Sequence, residues 1–341
     1  MADERTDDPY GITEADLQAA LLAEAGNRRR QMLLTAFGPL IEAALKDESV
    51  IEVMVNPDGK LWIERVGEGR VDMASPMQAA ETERIIRLVA AHMRGEVHDE
   101  APVVSAELPE SGERFEGVLP PVALGPCFAI RKPASKIFDL KDYVDAGIAT
   151  PLQAKALSEA VVDRKNIVVV GGTSSGKTTL VNALLAEVAE SGDRVMILED
   201  TRELQCAADD VVALRTKPHV ASLADLVRST LRLRPDRIIV GEVRGREALD
   251  MLKAWNTGHP GGITTVHANS DRSGLYRLEQ LIQEAVVTVP RRLIADAVDV
   301  LVFIEGRGAA RKIRTVSEVT GLDSNGDYRL TPLAPTHLTT V

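Results

Sequence analysis

Aromatic residues make up only 3% of this 341-residue chain, and cysteine occurs twice. Scarce rings argue against a nucleic-acid groove, which needs stacking platforms and basic surface. The formal net charge of −11 argues the same way. A local basic patch is still open, with Arg28-Arg29-Arg30 as its candidate, although such a run on a helix reads first as a solvated face. Cys127 and Cys206 lie far apart, so they supply neither a disulfide framework nor a four-thiolate zinc module. That usage fits a reducing compartment. No apolar run approaches the ~20 residues that span a bilayer. The stretch from Met1 to Tyr10 is polar and acid-rich, unlike a signal peptide. Membrane association is therefore expected to be peripheral or through a partner.

With so few rings the core must be aliphatic. Apolar residues reach 45% and charged residues 27%, as in ordinary globular proteins, and the length suggests two domains. The expected division is a polar segment 1–30, an α+β domain 31–132, a linker 133–150 and an α/β domain 151–341. In the first domain, Gln31 to Lys46 has helical apolar spacing. Ser49 to Val55 and Lys60 to Arg65 read as strands joined by the turn Asn56-Pro57-Asp58-Gly59. Thr82 to Met93 reads as a helix, and Arg114 to Leu119 and Cys127 to Arg131 as strands. In the second domain Ile167-Val168-Val169-Val170 is the short, wholly apolar run of a buried parallel strand. Strand signals follow at 194–199, 211–215, 237–240, 263–267 and 300–304, with helical segments between most of them. That order implies βαβ units and a mostly parallel sheet.

The segment Gly171-Gly172-Thr173-Ser174-Ser175-Gly176-Lys177-Thr178 matches G-x-x-x-x-G-K-[ST] in full, after an apolar strand and before a helical run. The glycines let backbone N–H groups converge on phosphate oxygens, and the helix N-terminus adds a favourable dipole. Lys177 would reach the β- and γ-phosphates, Thr178 would hold Mg2+, and Thr179 would extend the cradle. The expected ligand is ATP with Mg2+. A strand-end acid, Glu242, lies where it could orient the attacking water or support the metal. Glu199 closes a second apolar strand and is the second candidate. His267, at the end of a third, could sense the γ-phosphate, although a lone His is more often structural. His259, in the preceding turn, is weaker.

Together these motifs resemble the secretion ATPase superfamily of type II and type IV secretion and pilus machines. Leu198 to Leu204 resembles its Asp box. Leu231 to Arg244 resembles its atypical Walker B, with Glu242 in the acidic place, and Thr257 to His267 resembles its His box. Asn56 to Glu64, Glu113 to Gly117 and Phe128 to Pro133 extend the likeness toward its conjugal-transfer branch. The resemblance implies a RecA-like P-loop domain behind a smaller α+β domain. It also implies a homo-hexameric ring, cytoplasmic and docked on the inner membrane beside secretion-channel or pilus-assembly subunits. Arg114 and Arg131 match positions from which first-domain arginines reach the phosphates. Three alternatives stand beside it: a type II secretion or type IV pilus motor, whose four-cysteine module two cysteines cannot build; a RecA-like nucleic-acid translocase, disfavoured by charge and ring content; and a nucleotide-dependent scaffold, disfavoured by Glu242 and Glu199.

Overall fold

The structure, a computed structural model, describes residues 14–93, 95–109, 112–133, 137–217 and 219–334. The chain divides into two units at Ser135/Lys136. The expected segment 1–30 is therefore described only from Glu14, and residues 134–136 of the expected linker lie outside the described residues.

In the first unit, alternating apolar residues build β1 (Val50–Val55), and the expected turn returns the chain as β2 (Leu61–Arg65). Gly59 makes the turn possible: it sits at φ +82°, and a Cβ there would stand 2.4 Å from the Met77 carbonyl oxygen. β3 (Gly69–Asp72), β4 (Val103–Glu107), β5 (Arg114–Val118) and β6 (Cys127–Arg131) complete a sheet of order β3-β2-β1-β6-β5-β4. Every pairing in it is antiparallel. Two helices supply the apolar cover. α1 (Glu14–Lys46) is interrupted at Gly38-Pro39, where proline cannot continue the ladder; α2 is Ala79–His92. Phe37 and Ile41 of α1 and Ile85 and Ile86 of α2 join Val53, Ile63, Phe115 and Ile130 in one buried cluster. On α1, Arg28 and Arg30 are exposed, and Arg28 pairs with Glu24.

Because side chains alternate across a strand, the residues beside those core positions face the other way. Register aligns Arg70, Glu64, Glu52, Arg131, Arg114 and Glu107 in one row across the six strands. Arg114 and Arg131 are thus direct cross-strand neighbours. Burial pushes the Glu52 carboxyl up, against the pull of Arg131.

The second unit begins earlier than expected. α3 (Leu140–Asp145) lies inside the stretch read as a linker, yet Leu140 and Tyr143 are buried in this unit's core. α4 (Pro151–Val162) follows, capped by Thr150. The sheet then takes β7 (Ile167–Gly171), β8 (Val195–Glu199), β9 (Val211–Arg215), β10 (Arg237–Val240), β11 (Ile263–His267) and β12 (Val300–Glu305), all paired in parallel. Between them run α5 (Lys177–Ala189), α6 (Leu223–Thr230), α7 (Glu247–Asn256), α8 (Asp271–Gln283) and α9 (Arg291–Ala297). β13 (Lys312–Leu322) and β14 (Tyr328–Pro332) add an antiparallel hairpin at one edge, giving the order β14-β13-β12-β7-β11-β10-β8-β9. Every residue of β7, β8 and β10 is buried, as expected when both faces are covered. The two covers are separate, mostly aliphatic clusters: one gathers α3, α4 and α5, the other α6 to α9. Among the described residues no helix is long and apolar enough to cross a membrane.

Candidate active site

Parallel pairing puts the C-terminal ends of β7, β8, β10 and β11 along one edge of the sheet. His267 pairs with Gly171, and Val240 pairs with both Thr264 and Leu198. The loop from Gly171 to Gly176 leaves the buried strand β7 at this edge and enters α5. Its backbone needs unusual angles: Ser174 lies at φ +61°, and Gly176, the residue before α5, at φ +92°. Thr173 and Ser174 are exposed, whereas Ser175 is buried. A cavity of about 370 Å3 opens between Gly172 and Thr173 of this loop and Glu305, the last residue of β12, with Arg307 just after it.

Lys177 is only 7% exposed. Its Nζ donates to the Gly172 carbonyl at 3.0 Å and stands 3.3 Å from each ring nitrogen of His267. His267 Nε2 in turn lies 2.8 Å from Glu242 Oε1, and Arg244 donates to Glu242 Oε2 at 2.5 Å. Burial and the Lys177 cation push the His267 pKa below its usual value, with Glu242 pulling the other way. A neutral ring suits a place beside the Lys177 ammonium, with the Glu242 carboxylate close to Nε2. Glu242 is held in place through the backbone of the residues on either side of it. Gly241 N–H donates to the Leu198 carbonyl at 2.9 Å, and Val243 N–H to the Thr265 carbonyl at 3.0 Å. The Thr265 hydroxyl donates to the Gly241 carbonyl at 2.9 Å.

The two acids singled out in the sequence separate in role. Glu199 is buried, and its Oε1 accepts the backbone N–H groups of Glu203 and Leu204 at 2.9 and 2.8 Å. It shapes the loop after β8. That loop turns Glu203 back so that the Thr178 hydroxyl donates to Glu203 Oε2 at 3.2 Å. Asn182 of α5 fastens the same loop, donating to the Glu203 carbonyl and accepting from Gln205 N–H. Glu203 was not picked out from the sequence, although it lies within the Asp-box stretch; an acid four places after Glu199 was the available signal. Thr178 and Glu203 together offer a hydroxyl and a carboxylate at the start of α5, a donor pair that suits a small hard cation keeping most of its waters.

The glycines of the His box serve another purpose. Gly261 and Gly262 lie before β11, at the sheet edge away from the P-loop. A Cβ on Gly262 would come within 2.0 Å of Trp255 Nε1, and one on Gly261 within 2.7 Å of an Arg237 nitrogen. His259 contacts the Pro235 carbonyl at 3.1 Å at this far edge. Arg114 and Arg131 belong to the first unit, on the charged face of its sheet. Cys127 and Cys206 fall in different units, half-buried and free, with both thiols pushed up by burial.

A P-loop lysine linked through histidine to a strand-end glutamate, on a parallel sheet with helices on both faces, defines a P-loop ATPase of RecA-like fold. A family model described as "Type II/IV secretion system protein" matches residues 35–305, and the chain belongs to that family. It is 50% identical over 295 residues to the conjugal transfer protein TrbB of Rhizobium radiobacter, covering 86% of this chain and 91% of that protein. It is 30% identical over 304 residues to the type IV secretion system protein VirB11 of Bartonella quintana, covering 77% and 85%. Among solved structures, the Legionella pneumophila ATPase DotB shares the fold with a TM-score of 0.58 at 19% identity, covering 82% of this chain and 79% of that one.

Proposed function

We propose that the chain is the ATP-hydrolysing motor of a conjugal-transfer type IV secretion machine. It works as a ring-shaped homo-hexamer in the cytoplasm, against the inner membrane, and drives pilus assembly and substrate transfer. The observation that carries the chemistry is the run Lys177–His267–Glu242 along one sheet edge. The likeness to a protein named for conjugal transfer supports the setting.

In this reading Lys177 neutralises the β- and γ-phosphates. The Glu242 carboxylate, which accepts from Arg244 and lies beside His267, takes a proton from the attacking water. The water oxygen bonds to the γ-phosphorus as the bond to the β–γ bridging oxygen breaks, giving ADP and phosphate. Mg2+ bound by Thr178, with Glu203 alongside, would supply charge neutralisation at the phosphates. His267 bridges Lys177 and Glu242, so it can report loss of the γ-phosphate. Arg114 and Arg131, adjacent on one face, are assigned as the first unit's phosphate contacts.

The test is complementation in a donor strain lacking this gene. The wild-type gene should restore plasmid transfer and pili, and Lys177→Ala should restore neither. Transfer at wild-type frequency by Lys177→Ala would contradict the motor role. ATPase activity strongly stimulated by single-stranded DNA would favour a translocase instead.

A further inference from the structure

Arg311 stands against the phosphate cradle, yet no phosphate-loop motif includes it. A Cβ built on Gly176 would lie 2.7 Å from Arg311 Nε, 2.8 Å from Cζ and 3.1 Å from Cδ. The guanidinium therefore occupies the space next to the α-carbon at the end of the P-loop, where α5 begins. Its Nε is buried and has no hydrogen-bond partner. Among the described residues no carboxylate forms an ion pair with it. An arginine is always charged, and a buried unpaired donor on a cation is costly. Tyr143 of α3, near enough to feel the Arg311 charge, also has a buried hydroxyl without a partner.

The position is enforced by the surrounding backbone. Gly306, at φ +84°, closes the connection after β12 so tightly that a Cβ would lie 2.2 Å from the Ala310 carbonyl oxygen. A short 3-10 turn, Gly308–Ala310, then delivers Arg311. Immediately afterwards the chain is tied down. Lys312 Nζ donates to the Gly147 carbonyl, Ile313 N–H donates to the Ile148 carbonyl at 2.8 Å, and Gln153 Nε2 donates to the Ile313 carbonyl at 3.2 Å.

We propose that Arg311 is a phosphate ligand of the nucleotide, supplied in cis by the β12–β13 connection. This rests on the P-loop reading above and deepens it. Lys177, His267 and Glu242 mark the γ-phosphate end of the site, while Arg311 meets the loop at Gly176. Its contact is thus with the diphosphate common to ATP and ADP, which lets the subunit keep ADP after hydrolysis. The β12–β13 connection would follow whether a diphosphate is present.

The test measures the affinity of purified full-length protein for ADP and for a non-hydrolysable ATP analogue. Arg311→Ala should weaken both by about tenfold, the loss of one charge-assisted contact. Arg311→Lys should recover part of that loss, because a point charge still meets phosphate. The melting temperature without nucleotide should stay near wild type in the Lys variant, which separates ligand loss from misfolding. Unchanged affinity for ADP in Arg311→Ala, or equal loss in the Ala and Lys variants, would overturn the proposal. Lys177→Ala is measured in parallel. If it too leaves affinity unchanged, the P-loop reading fails; if it alone loses affinity, only the role of Arg311 fails.

Discussion

Glu242, Glu199 and Glu203 are three carboxylates within one loop's reach, and their contacts assign them different work. Glu199 holds two backbone N–H groups, so Glu199→Gln should loosen the loop and act through Glu203. Glu203 touches the Thr178 hydroxyl, so Glu203→Gln should raise the Mg2+ concentration needed for half-maximal ATPase activity several-fold. An unchanged Mg2+ requirement would remove it from the metal site. His267 gives a pH prediction. Its lowered pKa keeps it neutral at pH 7; acid below its usual 6.5 protonates it and places a second cation beside Lys177. ATPase activity should therefore fall on the acid side, and His267→Gln should lose that limb of the pH–rate profile. The stability sign agrees. The unfolded chain takes up the proton first, so folding stability falls as pH drops through 6.5 toward the lower folded pKa. A pH–rate profile unaltered by His267→Gln would contradict this.

The elements are held by features that differ in how openly the sequence displays them. The Gly262 prediction is the sharpest. Trp255 donates to the Ile238 carbonyl at 3.0 Å across the place where a Gly262 side chain would go. Gly262→Ala should therefore cost at least the ~1–3 kcal/mol of an overpacked core, lowering the melting temperature. A wild-type melting temperature would refute that packing account. β7, β8 and β10 could be read beforehand because strands buried on both faces carry continuous apolar runs, and β11 because β-branched residues fill Ile263 to Val266. The β1–β2 turn could be read because Asn-Pro-Asp-Gly has one conformational use. β3 could not, since all four of its residues are exposed. Nor could the β13–β14 hairpin, whose burial pattern is mixed and edge-like. α3 is six residues long, too short for periodicity to show, yet it is core through Leu140 and Tyr143. In the site, motif spacing pointed to Lys177, Thr178, Glu242 and His267, which the fold gathers along one sheet edge. Glu203 and Arg311 stayed hidden because a loop turned by Glu199 and a chain tied to Gly147 decide where they point. Spacing along the chain does not encode such tertiary contacts.

At the scale of the whole molecule, the chain joins an antiparallel sheet bearing a charged row to a parallel-sheet unit that carries every element of the P-loop chemistry. All of this depends on one central claim: that the sheet edge holding Lys177, His267 and Glu242 binds and hydrolyses ATP. Single-turnover hydrolysis, measured beside equilibrium ATP binding in Glu242→Gln, tests it most directly. The account predicts near-wild-type ATP binding with the chemical step slowed by ~10²–10⁴-fold, the usual loss for one positioned acid–base group. A Glu242→Gln protein that hydrolyses bound ATP at the wild-type rate would contradict it.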